Sequence, residues 1–243
     1  MKNNFQIITP AFNCEEEIEQ TIMSVAGQSY KNWKMTIIDD VSTDKTSKKI
    51  LDVFKKLDLV ENLNLVKRKE KHGEVLNTLK ETKALDDNDI VVRLDGGDWL
   101  TDLGALEIIN SLYNQYDPAV LWTAQRWGFT NQNISGQIDP NISVYNQPWK
   151  SSHLKTFRVK DFRGLNQENF KDTDGNHIMI ACDQAIFLPM MERARRKKRN
   201  LLFVPMVMYH YNIDLSDQRI FHTDRSYAQK HSAEWIRERG YIE

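Results

Sequence analysis

Cysteine is almost missing from this chain. Of 243 residues only Cys14 and Cys182 carry a thiol, too few for a disulfide framework and without metal-ligand spacing. That usage points to a reducing, cytoplasmic setting. Long apolar runs are missing too. Nothing approaches the roughly 20 residues a bilayer-crossing helix needs, so no transmembrane segment is expected. The amino terminus, Met1 to Asn4, leads directly into a strand with no apolar signal region. Surplus charge is absent: 33 Lys and Arg face 34 Asp and Glu, for a net charge of −1, which removes any overall pull toward nucleic acid or membrane. No repeat or low-complexity linker breaks the chain. What is present, 40% hydrophobic and 28% charged residues, is the composition of an ordinary soluble globular protein, with length for one α/β domain.

Apolar stretches alternate with amphipathic ones through the first half. Phe5 to Ile8 reads as a strand ended by Thr9-Pro10. Asn13 is a candidate helix cap before Glu15-Glu16-Glu17, acids that suit the positive end of a helix dipole. Met35 to Ile38 reads as a second strand, Leu63 to Val66 as a third, Gly73 to Leu85 as a helix, and Ile90 to Leu94 as a buried strand. Strands alternating with helices argue for a mainly parallel sheet with right-handed crossovers. Asp102 is a candidate cap for the helix carrying Leu106, Ile109 and Tyr113, and Ala119 to Trp122 is a further strand. From Arg126 to Gln147 polar residues dominate, which predicts loops or short antiparallel strands. Asp183 begins a helix that contains Pro189. Leu201 to Tyr211 reads as a strand whose Pro205 implies an edge or a bulge, and a helix follows from Arg225 to Arg239.

Three polar clusters fall at carboxyl ends of the predicted strands: Thr9 to Asn13, Asp39 to Asp44, and Leu94-Asp95-Gly96-Gly97-Asp98. In an open parallel sheet such ends share one edge, where ligands bind. Each cluster alone has the plain explanation of a turn plus a cap. Three in succession point to a site. Asp95 and Asp98 offer hard oxygen ligands for a cation, or acceptors for ribose hydroxyls.

Taken together these motifs resemble the family 2 inverting glycosyltransferases. The resemblance lies in the strand, Pro, x, aromatic, Asn pattern of Ile7 to Asn13, in Ser24 to Trp33, and in Ile38 to Thr46; it is tight over about the first hundred residues. It implies a GT-A fold, an α/β arrangement with a mainly parallel sheet flanked by helices. Residues 1–243 would form one such domain, with a nucleotide-binding half (1–100) and an irregular acceptor-side half (101–243). It implies a nucleotide-sugar donor such as a UDP-sugar, a hydroxyl acceptor such as a glycan, transfer of a hexosyl or pentosyl group, and Mn2+ or Mg2+. Pro10, Phe12, Asn13, Asp40, Ser42, Arg93 and Asp95 would bind the nucleotide sugar, with Asp40 reading a ring N–H and Asp44 fixing its loop. Arg93 would neutralise diphosphate, unless it pairs with Asp39 or Asp95. Asp95, Asp98 and His210 would hold the metal. Asp183 would be the catalytic base, against the simpler reading of an N-cap. Trp149 and His153 would bind the acceptor, against ordinary packing roles.

The family's acidic motif is usually Asp-x-Asp-Asp, and Gly97 stands where its second Asp would be. This implies weakened metal binding and activity, unless Asp95 and Asp98 suffice or His210 or Arg93 carries the charge. A nucleotide-sugar-binding protein without turnover is the alternative. A nucleotidyltransferase would want a Gly-rich phosphate loop after the first strand, and there is none. The basic run Arg193 to Arg199 reads as a solvated helix face, or as a surface for an anionic acceptor such as DNA with hydroxymethylated bases.

Overall fold

The computed structural model describes residues 2–128, 130–212 and 224–243. The chain runs β1 (Phe5–Ala11), α1 (Ile18–Ala26), β2 (Trp33–Asp39), α2 (Thr46–Lys56), β3 (Leu63–Lys67), α3 (Gly73–Thr82), β4 (Ile90–Arg93), β5 (Trp99–Leu100), α4 (Ala105–Tyr116), β6 (Val120–Trp127), β7 (Lys155–Arg158), α5 (Val159–Arg163), α6 (Cys182–Arg196), β8 (Leu201–Tyr211) and α7 (Asp224–Arg239). One eight-stranded sheet has the order β3-β2-β1-β4-β7-β6-β8-β5. Strands β3, β2, β1 and β4 are parallel, and β7 then runs antiparallel to both β4 and β6.

The two-residue period of β1 divides the core. Phe5 and Ile7 face one apolar cluster with Ile18, Ile22, Phe54, Leu106 and Tyr113, which brings α1, α2 and α4 onto that face. Ile8 faces the other, with Val75, Trp122, Phe157, Phe162 and Phe187 from α3, β6, β7, α5 and α6. Both faces of the central strands are therefore covered, which explains why β4 is apolar without alternation apart from Arg93. Among the described residues no helix is long and apolar enough to cross a membrane.

Several expectations need correction. Strand β1 continues through Thr9-Pro10 to Ala11. The Pro10 carbonyl accepts from Gly96 N (2.9 Å) on the β4 side, and pairing with β4 stops at Ile8–Arg93. The missing proline N–H therefore costs no ladder bond. Asn13 does not cap α1, which starts at Ile18 without a side-chain cap; Asn13 sits at φ 49° in the preceding turn. Helix α3 stops at Thr82 rather than Leu85. The second half is more regular than expected, although residues 130–154 do form a long loop excursion with no strand among those described residues. Pro205 coincides with a break in the β6–β8 register, where Thr123 pairs Val204 and Ala124 already pairs Val207. Pro189 lies in the interior of α6, and Asp102 supports the start of α4 by accepting from Gly104 N (2.6 Å).

Candidate active site

The carboxyl ends of β1, β2 and β4 lie side by side, because those strands are adjacent and parallel. Phe12 follows β1 with its ring half-exposed, and Lys71 Nζ lies 3.4 Å from its centroid. The loops after β1 and β2 are stitched together. Asn13 N donates to Ser42 Oγ (3.0 Å), Thr43 N donates to Asn13 Oδ1 (2.8 Å), and Asp44 accepts from Glu15 N (3.2 Å) and Thr46 N (2.9 Å). Asp44 thus fixes its loop. Asp40 is buried and caps α3, accepting from His72 N and Gly73 N, each at 2.9 Å. Each of its oxygens keeps a second lone pair. Pro10 is part of β1 itself, one residue short of its end.

The turn after β4 carries the acidic motif. Gly96 packs so closely on β1 that a Cβ there would lie 2.9 Å from the Pro10 carbonyl oxygen. Gly97 has φ +106°, a conformation open chiefly to glycine. Its N–H donates to Thr21 Oγ1 (3.1 Å), and Leu100 N donates to Ser24 Oγ (3.1 Å), so α1 pins the turn. Asp98 accepts from Tyr209 Oη (2.5 Å) and Asn212 N (2.9 Å). Burial pushes its carboxyl up to about 7 against those two hydrogen bonds, and the charge of Asp183 pushes it further. Asp95 is raised to about 6 by burial, opposed by Arg93 and assisted by Asp98 and Asp183.

Arg93 is fully buried and pairs with Glu74 (2.5 Å) and Asp95 (3.4 Å), not with Asp39. Those two carboxylates hold the guanidinium in place. Glu74 itself is raised to about 7 by burial, with Arg93 opposing and Asp183 and Asp95 adding.

Helix α6 delivers Asp183 in its first turn. The residue preceding that helix is Ala181, at φ 57°, so Asp183 is not the cap. Its carboxylate is ion-paired with Lys155 Nζ and lies 3.5 Å from His153 Nε2. Burial works against its charge, but Lys155, with help from Arg93, outweighs this and holds Asp183 well below the usual carboxylate range. His153 is buried and pressed down to about 3 by desolvation, with Asp183 opposing, so the ring is neutral. Tyr209 and Tyr211 stack on it at centroid distances of 4.6 and 5.5 Å. Trp149, His153 and Asp183 line one cavity of about 260 Å³.

Lys155, Glu74 and Tyr209 are the site residues that sequence reasoning did not single out. His210 does not join Asp95 and Asp98. Its ring stacks on Trp99 at 4.0 Å and its Nδ1 accepts from Arg126 Nε (3.1 Å), because alternate residues of β8 face opposite ways. Among the described residues no group of three or more His, Cys, Asp and Glu side chains is arranged to hold a metal. Three of the six basic residues in the run are ion-paired, Arg195 and Arg196 with Glu192 and Arg199 with Asp117 and Asp161. That leaves the nucleic-acid reading without support.

The family model for glycosyl transferase family 2 matches residues 6–187. The chain belongs to that family. Its α/β fold is of the GT-A type. Its sequence is 42% identical over 67 residues to the Bacillus subtilis protein TuaG, named for teichuronic acid biosynthesis, over 28% of this chain and 25% of that one. It is 44% identical over 46 residues to the Escherichia coli UDP-Glc:alpha-D-GlcNAc-diphosphoundecaprenol beta-1,3-glucosyltransferase WfgD, over 19% and 18% of the two. The matched segments thus span a quarter or less of those relatives. In fold it is similar to S. aureus TarS 1–349 in complex with UDP, with TM-score 0.65 and 18% identity over 95% of this chain and 69% of that one. The mannosyltransferase PcManGT from Pyrobaculum calidifontis, in complex with GDP-Man and Mn2+, gives TM-score 0.62 and 15% identity over 96% and 65%.

Proposed function

We propose that this family member transfers a sugar from a nucleotide-sugar donor to an acceptor hydroxyl with inversion, using Asp183 as base. The observation that carries the reading is the position of Asp183. It opens a cavity beside the neutral His153, yet its charge is felt by Asp95 and Asp98 in the turn after β4. A donor on the β1, β2 and β4 loops and an acceptor in the Asp183 cavity would meet between these carboxylates. Asp183 would take the acceptor proton while the acceptor oxygen attacks the anomeric carbon opposite the departing diphosphate, and that geometry inverts the centre. Residues 1–100 would hold the donor, with Phe12 against the base, Asn13 and Ser42 shaping the loop, and Asp40 accepting from a ring N–H. Residues 101–243 would hold the acceptor.

Asp95 and Asp98 offer oxygen donors to a divalent cation, although no third His, Cys, Asp or Glu among the described residues completes a site with them. Among the described residues the carboxylates Glu74, Asp95 and Asp183 are offset by the cations Arg93 and Lys155, and no cation does so for Asp98. Asp95 and Asp98 would hold Mg2+ or Mn2+ through oxygen, as those ions prefer, and the ion would neutralise diphosphate. The residue at Gly97 removes one further oxygen ligand and so lowers metal affinity. The structure neighbours' UDP and GDP-Man with Mn2+ support a donor and ion of this class.

The test is to incubate the protein with nucleoside-diphospho-sugars, Mn2+ and glycoside acceptors and to follow the new anomeric proton by NMR. Inverted product is expected, with a loss of about 10²- to 10⁴-fold in Asp183→Asn. Retained configuration, or an Asp183→Asn variant as active as the parent, refutes the assignment.

A further inference from the structure

Helical spacing divides the basic run at the end of α6. Arg195 and Arg196 turn to Glu192, whereas Arg193 and Lys197, one turn apart, face a separate cavity of about 460 Å³. Lys160 and Asp161 of α5 and Arg199 from the link to β8 complete its charged lining, beside the apolar side chains of Met190 and Ala194. This cavity is remote from the cleft. Arg158, two residues before Lys160 in the chain, pairs with Ile90 at the start of β4, while the acidic turn follows the other end of that strand. Asp183 precedes Arg193 on α6 by a rise of roughly 15 Å.

Positive charge is in excess around the cavity. Asp117 is shared by Arg158, Lys160 and Arg199, at 2.6, 3.9 and 3.0 Å, and Asp161 pairs with Arg199 at 3.0 Å. Among the described residues neither Arg193 nor Lys197 has an ion pair of its own. Arg193 is half-buried and Lys197 exposed, so both charges are open to the cavity. Like charges at this spacing repel and weaken a helix. Complementing the helix dipole accounts for cations in a last turn, but not for the fixed seat of Arg193. Its Nη1 donates to the Asp161 carbonyl (3.1 Å), and the guanidinium lies over Gly164, where a Cβ would stand 2.6 Å from that same nitrogen. Gly164 has φ −85°, which any residue adopts, so its missing side chain serves the guanidinium rather than the backbone.

A carboxylate is planar, singly charged and satisfied by one arginine fork. A phosphate monoester carries up to two charges and three acceptor oxygens, enough to engage cations from separate segments together. The volume lies in the range of small-ligand pockets. One concave cluster, rather than a stripe along the surface, does not suit a nucleic-acid backbone. We propose that this cavity binds a phosphate monoester through Arg193, Lys197 and Lys160, at the end of α6 opposite Asp183. The site is independent of the Asp183 chemistry. Its ligand is a soluble ester or a lipid headgroup of the same chemistry.

The full chain is titrated with glycerol 3-phosphate by calorimetry at low salt, since salt screens exposed charges. Saturable binding is expected, at least about tenfold tighter than that of acetate. Joint replacement Arg193→Gln and Lys197→Gln weakens it at least about tenfold at unchanged Tm. Gly164→Ala pushes the guanidinium aside and weakens binding several-fold, and the fold tolerates it because only the tip of a flexible side chain must move. Sedimentation with phosphatidylcholine vesicles, with and without phosphatidic acid, separates the two sources. Co-sedimentation that requires phosphatidic acid and is reversed by glycerol 3-phosphate supports the site with a lipid ligand. Calorimetric binding without co-sedimentation supports it with a soluble one. Absence of saturable binding in both arms overturns the proposal. So does binding that the double variant retains, or acetate bound as tightly as the phosphate.

Discussion

Replacing Lys155 by Met should turn a pH-insensitive base into one that fails in mild acid. Lys155 is fully buried on β7, with its ammonium against Asp183 and 4.6 Å from the Phe187 ring centroid. The groups facing Asp183 are Lys155, His153, Arg93 and, with like sign, Glu74, Asp95 and Asp98. Those other carboxyls, for which Lys155 is at most the weakest influence, sit at about 7, 6 and 7. Met keeps much of the apolar volume but removes the charge, and Asp183 should then join them near 7. Its ionised fraction would be about one-tenth at pH 6 and nine-tenths at pH 8. The ratio of variant to parent kcat should therefore fall about tenfold between pH 8 and pH 6. The parent should show no acid limb from Asp183 in that range. The sign follows from linkage: a depressed carboxylate contributes stability above its unfolded value near 4 that is lost only as pH falls through the folded one. The assay is transfer rate against pH, with nucleoside diphosphate affinity by calorimetry as a control that should be unmoved. Lys155→Arg should restore the flat profile. A variant slowed by one factor at every pH would refute the reasoning and leave Lys155 a packing residue.

Other perturbations are read more briefly. Gly97→Asp, which recreates the usual acidic pattern, should cost about 1–2 kcal/mol in chemical denaturation because a side chain at φ +106° is strained; an unchanged denaturation midpoint would contradict that backbone. Tyr209→Phe removes the hydroxyl that donates to Asp98 and should cost about 1–3 kcal/mol, the penalty of an unpaired buried acceptor, measurable by urea unfolding. Glu74, Asp95 and Asp98 hold protons in the folded state up to about 7, 6 and 7, so stability should fall as pH rises from about 4 to 7. Mn2+ should accordingly raise Tm more at pH 8 than at pH 5.5, and equal shifts would show that these carboxylates do not bind it.

The donor side was legible because periodicity located the strands and acids stood directly after them, at Asp39-Asp40 and Asp95. A side chain's direction within an irregular turn has no such signature. Asn13 reads as a helix cap, yet its positive φ turns it to the loop after β2. Arg93 reads as a phosphate ligand, and its sequence position gives no sign that its buried side chain is also engaged by Glu74 and Asp95. Lys155 was hidden because a lysine in Lys-Thr-Phe-Arg looks solvent-facing. A signal did exist: Lys155 shares its strand face with Phe157, an obvious core residue. Glu74 gives no sign of a site role in the sequence, because its partner Arg93 stands on another element 19 residues away. His210 misled because neighbours on a strand point to opposite faces, so nearness in sequence to Tyr209 says nothing of reaching Asp98.

Thr21 and Ser24 are buried on the helix behind the acidic turn, where their hydroxyls receive the amides of Gly97 and Leu100. Variant screens limited to cleft-lining positions would overlook both. A methyl in place of either oxygen orphans a backbone donor and lets the carboxylates drift, so inactive alleles should accumulate at these two silent-looking positions in any saturation library.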